Sequence, residues 1–223
     1  MRYNYKKVAM VMVIMLGGLG IWLTGSPGYA KEKPAVDPTP GAVLELKVPP
    51  GTLDTITAIM SRRSIRDYTS HPVPEELVKM LVEAGMCAPS AFNERSSEFV
   101  VINDRKILDE IFQLNTKALQ IKKASVAIMI CGNTAKEKFP GQGYWPLDGA
   151  VAAQNILLAA HAVGLGAVWT AIYPYEDRMT AVKKLLGLPE AVQPLCLIPI
   201  GYPAEKKFRE NRFEPARHHQ NKW

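Results

Sequence analysis

"DGAVAAQNILLAAHAVGLGAVWTAIYP", residues 148–174, is the stretch whose reading decides the fold. From Gly149 to Val163, small and apolar residues fall on nearly every side of a helical wheel. A helix with no wet face is expected to run buried through the middle of a domain. Asp148 is placed to open it, and Gly164 to close it by taking the left-handed conformation at a helix end. "GAVWTAI" (166–172) then turns β-branched and aromatic and reads as a strand. Gly164-Leu165-Gly166 superficially matches a dinucleotide-binding fingerprint. Its glycines, however, follow a helix and precede a strand, the reverse of what a phosphate-binding turn needs, so a Rossmann site is excluded.

Outward from this stretch, helices and strands alternate. "EFVVIN" (98–103), "ASVAIMIC" (124–131) and "PLCLIPIGYP" (194–203) read as further strands. Asp104 can cap a helix through Ile111, and "DRMTAVKKLLG" (177–187) is another helix. "HPVPEELVKMLVEAGMCAPS" (71–90) is a helix with Pro74 at its first position, acids in its first turn, and Leu77, Val78, Leu81 and Val82 facing inward. Leu53, Ile56, Ile59 and Met60 recur at helical spacing, with Thr52 as cap. The tail after Ala204 is polar with no core face. The alternation predicts an α/β or α+β sandwich over residues 51–223.

Two segments precede that domain. Residues 1–30 have a basic start (Arg2, Lys6, Lys7), an apolar run from Val8 to Leu23, and Gly28-Tyr29-Ala30 as a small-residue stop. That is the layout of a secretory signal, with an uncleaved N-terminal anchor as the other reading. By the positive-inside rule the domain is expected to be exported. Residues 31–50 carry five prolines and read as a linker or arm. Net charge is +6; the leader supplies three cations and no acid, leaving +3 with acids interleaved throughout. That balance argues against nucleic acid as a partner. Membrane contact is expected only through the N-terminal segment, if it stays uncleaved. Cys87, Cys131 and Cys196 show no CxxC and no ligand spacing, so all three read as buried thiols and no metal site is expected.

Two stretches could carry chemistry. "SRRSIRDY" (61–68) gathers Arg62, Arg63 and Arg66 around Ser64 just past a helix. Forked, permanently charged guanidiniums suit phosphate oxygens, though cations at a helix C-terminus also simply offset its dipole. "CAPSAFNERSSE" (87–98) puts Pro89, Ser90 and Asn93 in a loop between helix and strand. It is either an ordinary turn or a set of donors for a polar heteroaromatic or ribityl chain.

Taken together, "RRSIRDY", "APSAFN", residues 148–174, and "LIPIGYPAEK" ahead of a tail ending "NKW" resemble the FMN-dependent nitroreductase family, in its order, over nearly all of residues 52–223. The resemblance implies an α+β three-layer sandwich with a mixed or antiparallel central sheet flanked by helices. It also implies an intertwined homodimer with FMN at the interface. Arg62, Arg63, Ser64 and Arg66 would contact the FMN phosphate and ribityl chain, and Pro89, Ser90 and Asn93 would reach the flavin from the partner subunit. Trp169, Thr170 and Ala171 would lie along the ring, and Arg212, or alternatively Lys206, would return to the phosphate. Activity would be ping-pong: hydride from NAD(P)H to flavin N5, then to an electron-poor small molecule such as a nitroaromatic or quinone, with no catalytic side chain. The alternatives are an exported flavin-binding or electron-transfer protein without turnover, and a same-fold reductive dehalogenase or flavin-fragmenting enzyme. One departure is visible. Where the family often reads Asn-x-Gln-Pro-Trp, this chain has Asn93-Glu94-Arg95-Ser96-Ser97, losing the aromatic and placing a cation at 95. His161 is expected in the core or an interface. Tyr144 and Trp145 are candidates for a loop over the cavity or for plain packing.

Overall fold

The sheet is organised by its two most apolar strands, which need cover on both faces and therefore take the centre. In a computed structural model describing residues 48–223, the order is α1 (Thr55–Ser61), α2 (Glu75–Met86), β1 (Ser97–Ile102), α3 (Arg105–Leu114), α4 (Gln120–Lys123), β2 (Val126–Asn133), α5 (Tyr144–Ala162), β3 (Gly166–Ala167), β4 (Thr170–Ala171), α6 (Glu176–Leu186) and β5 (Val192–Gly201). The leader, and all of the linker before Val48, lie outside the described residues.

β2 and β5 pair antiparallel from Val126↔Ile200 to Asn133↔Val192, with a register shift between Ile130 and Cys131. β1 pairs with β2, while β3 and β4 both pair with β5, all antiparallel. Strand alternation sorts β2 into two faces. Val126, Ile128 and Ile130 pack with Val78 and Leu81 of α2 and Ala153 and Ile156 of α5. Ala127, Met129 and Cys131 pack with Leu108, Ile111, Ile121 and Val182 of α3, α4 and α6. Each fully buried aliphatic side chain is worth about 1.5–3 kcal/mol, so these two layers hold the sheet between them. The three-layer α+β sandwich expected from the sequence is the architecture found.

Several local expectations are corrected. The long helix begins at Tyr144, not Asp148, because Gly143 turns in at φ 77° and the Trp145 N–H is accepted by the buried Glu137 carboxylate at 3.1 Å. Tyr144 and Trp145 are thus helical rather than loop residues. Asp54, not Thr52, caps α1, accepting from the Thr57 N–H at 3.0 Å; the Thr52 hydroxyl donates to Pro49 O. The apolar face of α1 points outward: Ala58 is buried, whereas Ile56 is 69% and Ile59 49% exposed. Pro74 is the cap of α2 rather than its first helical residue. The strand expected over 166–172 is split in two. In the shared register Val168 falls opposite Pro199, which has no N–H to donate. Cys87 is exposed, at the C-terminal end of α2 where no layer covers it. Cys131 and Cys196 are buried as expected, and burial pushes the Cys131 thiol up to about 12.

Candidate functional site

The arginine stretch is shaped by what it must bury. After Ser61 the chain leaves the helix, with Arg62 at φ −53°, ψ 132°, and runs extended, with Arg63, Ile65 and Tyr68 turned inward. The Ile65 N–H donates to Ala167 O at 3.1 Å. The approach is so close that a Cβ on Gly166 would stand 2.6 Å from Ile65 Cγ2, which explains the glycine. The Tyr68 hydroxyl lies 2.7 Å from Ile65 O and 3.1 Å from Pro199 O, pinning the turn to β5. Burial raises the proton affinity of that phenol, so it stays neutral.

Positive charge collects on this rail. Arg63 is only 8% exposed; its Nε–H donates to Phe208 O at 3.0 Å and its Nη1 to Arg62 O at 2.8 Å. Among the described residues the buried Nη2 has no hydrogen-bond partner. Desolvation, followed by the charges of Arg212 and Arg63, lowers the proton affinity of Arg62; Arg212 itself is exposed and meets Glu210 Oε2 at 3.4 Å. His161 stands beside them with Nε2 2.8 Å from Ser61 Oγ. The Ser61 proton is committed to Thr57 O at 2.6 Å, so the imidazole is the donor. Burial first, then Arg62 and Arg63, hold His161 below its usual value of 6.5. Half-buried like charges with an unpaired donor are costly unless an anion joins them, and an oxyanion with several oxygens fits such a fork.

The other sequence candidates take different places. Ser64 offers its carbonyl to Lys207 Nζ at 2.7 Å, and Arg66 is exposed with its N–H on Glu205 Oε1 at 2.6 Å. Lys206 lines a cavity of about 470 Å³ with His161 and Phe208, whereas Arg212 is the cation of the C-terminal tail whose charge is felt at Arg62. Trp169 packs on the α2/α5 side of the core. Thr170 is buried, its hydroxyl accepting from Gln120 Nε2 at 3.1 Å, and Ala171 O accepts from Arg178 Nη1 at 3.4 Å. Two residues beyond the Ile65–Ala167 bond, this strand continues from the arginine rail.

The Pro89–Asn93 loop lies elsewhere. Asp148, read from sequence as a cap, is buried and accepts from the Ala91 N–H at 2.9 Å and the Ser96 hydroxyl at 3.1 Å. The loop is thereby tied to the N-terminal part of α5. Phe92, Asn93 and Arg95 all take φ between 51° and 58°. Arg95 gives its N–H to Ser90 Oγ at 2.9 Å and its Nε–H to Asn93 Oδ1 at 3.3 Å. Pro89, Ser90, Asn93 and Arg95 line a cavity of about 660 Å³. From Asp148 to His161 is about 20 Å along α5 at 1.5 Å per residue. One chain therefore brings Arg62, Arg63, Ser64 and the Trp169–Ala171 strand to one end of α5, where the charge of Arg212 is also felt, and leaves Pro89, Ser90 and Asn93 at the far end of the helix.

The family model described as "Nitroreductase family" matches residues 59–144 and 144–202. The chain belongs to the nitroreductase family. A Methanothermobacter thermautotrophicus protein, a candidate NADH dehydrogenase/NAD(P)H nitroreductase, is 46% identical over 171 residues, covering 77% of this chain and 88% of its own. A crystal structure of a protein with the same description from Bacteroides thetaiotaomicron aligns with a TM-score of 0.72 at 44% identity, covering 76% of this chain and 98% of that one. An FMN-dependent nitroreductase from Clostridium difficile aligns at 0.70 and 29% identity over 75% and 99% of the two chains. The fold expected from the four motifs is thus the nitroreductase fold.

Proposed function

We propose that the chain is an FMN-dependent oxidoreductase that draws electrons from NAD(P)H and passes them, ping-pong, to an electron-poor small molecule such as a nitroaromatic or quinone. The observation that carries this reading is the unpartnered, buried Arg63 Nη2 inside a cluster of three guanidiniums. A phosphate monoester dianion offers several oxygens to that cluster and removes its unpaired donor. Arg62, Arg63 and Arg212 hold the phosphate, Ser64 and Arg66 border it and the ribityl chain, and Trp169, Thr170 and Ala171 wall the ring. Bound FMN supplies hydride acceptance and donation at N5. The protein's own work is binding, orientation and exclusion of water: the Gln120–Thr170 bond stiffens the wall, and the buried thiols of Cys131 and Cys196 stay protonated and out of the chemistry.

The working unit in this reading is a homodimer. The separation of Pro89, Ser90 and Asn93 from the arginines supports a site completed by the loop of a second copy. So do the exposed apolar residues Ile56, Ile59 and Met60 of α1 and Leu147 and Val151 of α5. The leader carries the domain out of the cytoplasm; a reporter fused at Trp223 that is active only in the cytoplasm would overturn that part. The activity is tested by loading the purified protein with FMN and mixing it anaerobically with NADH and with NADPH. Bleaching of the yellow colour within seconds is expected with at least one donor. Persistence with both would leave a flavin carrier in its place.

A further inference from the structure

Residues 62–69 and the C-terminal arm run antiparallel in one unbroken register. The Thr69 N–H donates to Tyr202 O at 2.8 Å, Tyr68 bridges Pro203, and the Ala204 N–H donates to Asp67 O at 2.9 Å. The Arg66 N–H then meets Glu205 Oε1 at 2.6 Å, Lys207 Nζ meets Ser64 O at 2.7 Å, and Arg63 Nε–H meets Phe208 O at 3.0 Å. The rungs near Tyr202 are backbone to backbone; the outer three depend on side chains. Arg63 makes the outermost rung, and beyond it the arm is exposed up to Arg212 and past it.

We infer that Arg63 is a positioning residue that makes closure of the arm depend on the anion at the arginine cluster. This rests on the FMN reading above. The guanidinium is a rigid plane, so Nη2 is fixed relative to the Nε–H that holds Phe208 O and the Nη1 that holds Arg62 O. An anion on Nη2 locks that plane, strengthens the rung at Phe208 and thereby keeps Arg212, four residues on, against the same anion. Without the anion, the plane keeps a buried, unsatisfied donor and the outer rung is the weakest part of the arm. Flavin lacking the phosphate fills the ring site without closing the arm.

The arm carries its own reporters, since Lys206, Lys207, Arg209 and Arg212 are trypsin sites. In limited digestion of the full chain, saturating FMN is expected to slow cleavage after Arg209 and Arg212 by about tenfold, the weight of one charge-assisted contact. Riboflavin, which shares the ring, leaves the rate unchanged. In Arg63→Gln at saturating FMN the protection falls to within about twofold, and Arg63→Lys, which keeps the charge and loses the fork, behaves like Gln. Equal protection by FMN and riboflavin, or full protection in Arg63→Gln, overturns the inference. Should the variants fail to fold, the exposed Arg212→Gln in the full chain decides: FMN still slows cleavage after Arg209 and riboflavin does not, because Arg63 holds Phe208 O. Loss of that protection overturns the coupling. A wild-type protein that binds no FMN at all sinks the cofactor reading instead, so the two failures are distinct.

Discussion

The imidazole of His161 reports on the arginine cluster from the end of α5. Its folded-state value lies below 6.5 because burial and the charges of Arg62 and Arg63 disfavour a further cation there. The unfolded chain therefore takes up this proton before the folded one does. The resulting stability is complete above about pH 6.5 and is lost as pH falls through and below it. His161→Gln is expected to flatten the drop in urea midpoint on the acid side of pH 6.5, and a variant with the wild-type slope would show that the charge cluster is not felt there. At this scale the sequence was half legible. Arg62, Arg63 and Arg66 could be read because one residue type repeats within five positions and guanidinium chemistry has few uses. Asp148 could not: its partners, Ala91 and Ser96, lie more than fifty residues away, and from sequence a carboxylate before an apolar helix is a cap. The Phe208 carbonyl that engages Arg63 carries no side-chain signature at all.

Elements were most legible where periodicity ran long. β2, β5, α2 and the body of α5 follow from apolar pattern, although α5, expected to be buried on all sides, leaves Leu147 and Val151 exposed. Their ends followed less well. The start of α5 depends on Gly143 and on Glu137 reaching the Trp145 N–H, and the gap between β3 and β4 depends on Pro199 across the sheet. Both are contacts with another element. α1 misled for a related reason: its apolar stripe is real but is turned away from the core. The first turn of α5 also explains the absence of a side chain at 132. A Cβ there would lie 2.5 Å from Trp145 Cε3 and 2.8 Å from its Cβ. Trp145 in turn meets Tyr173 edge-on at 5.1 Å. Gly132→Ala is expected to cost about 1–3 kcal/mol by overpacking, read as a lowered denaturation midpoint with unchanged slope. A loss below that range would mean the indole shifts freely.

For the whole molecule, the nitroreductase membership was legible because four motifs stand in register, whereas the proposed homodimer came from resemblance alone. The structure adds a physical reason: the two halves of the proposed site sit at opposite ends of α5 in one chain, and the exposed apolar residues of α1 and α5 need cover. Ile56→Glu, on a side chain 69% exposed, would be nearly neutral in a monomer. In a dimer it is expected to shift the protein to monomers and to release flavin together with the partner, checked by light scattering alongside flavin absorbance. Dimers that persist would remove α1 from the interface. The claim on which the account turns is that Arg62, Arg63 and Arg212 are gathered for a phosphate. The direct measurement is equilibrium titration of the flavin-free protein with FMN and with riboflavin, repeated on Arg62→Ala. The account predicts FMN binding about a hundredfold tighter than riboflavin, with most of that preference gone in the variant. Equal affinity for the two flavins in the wild-type protein would contradict it.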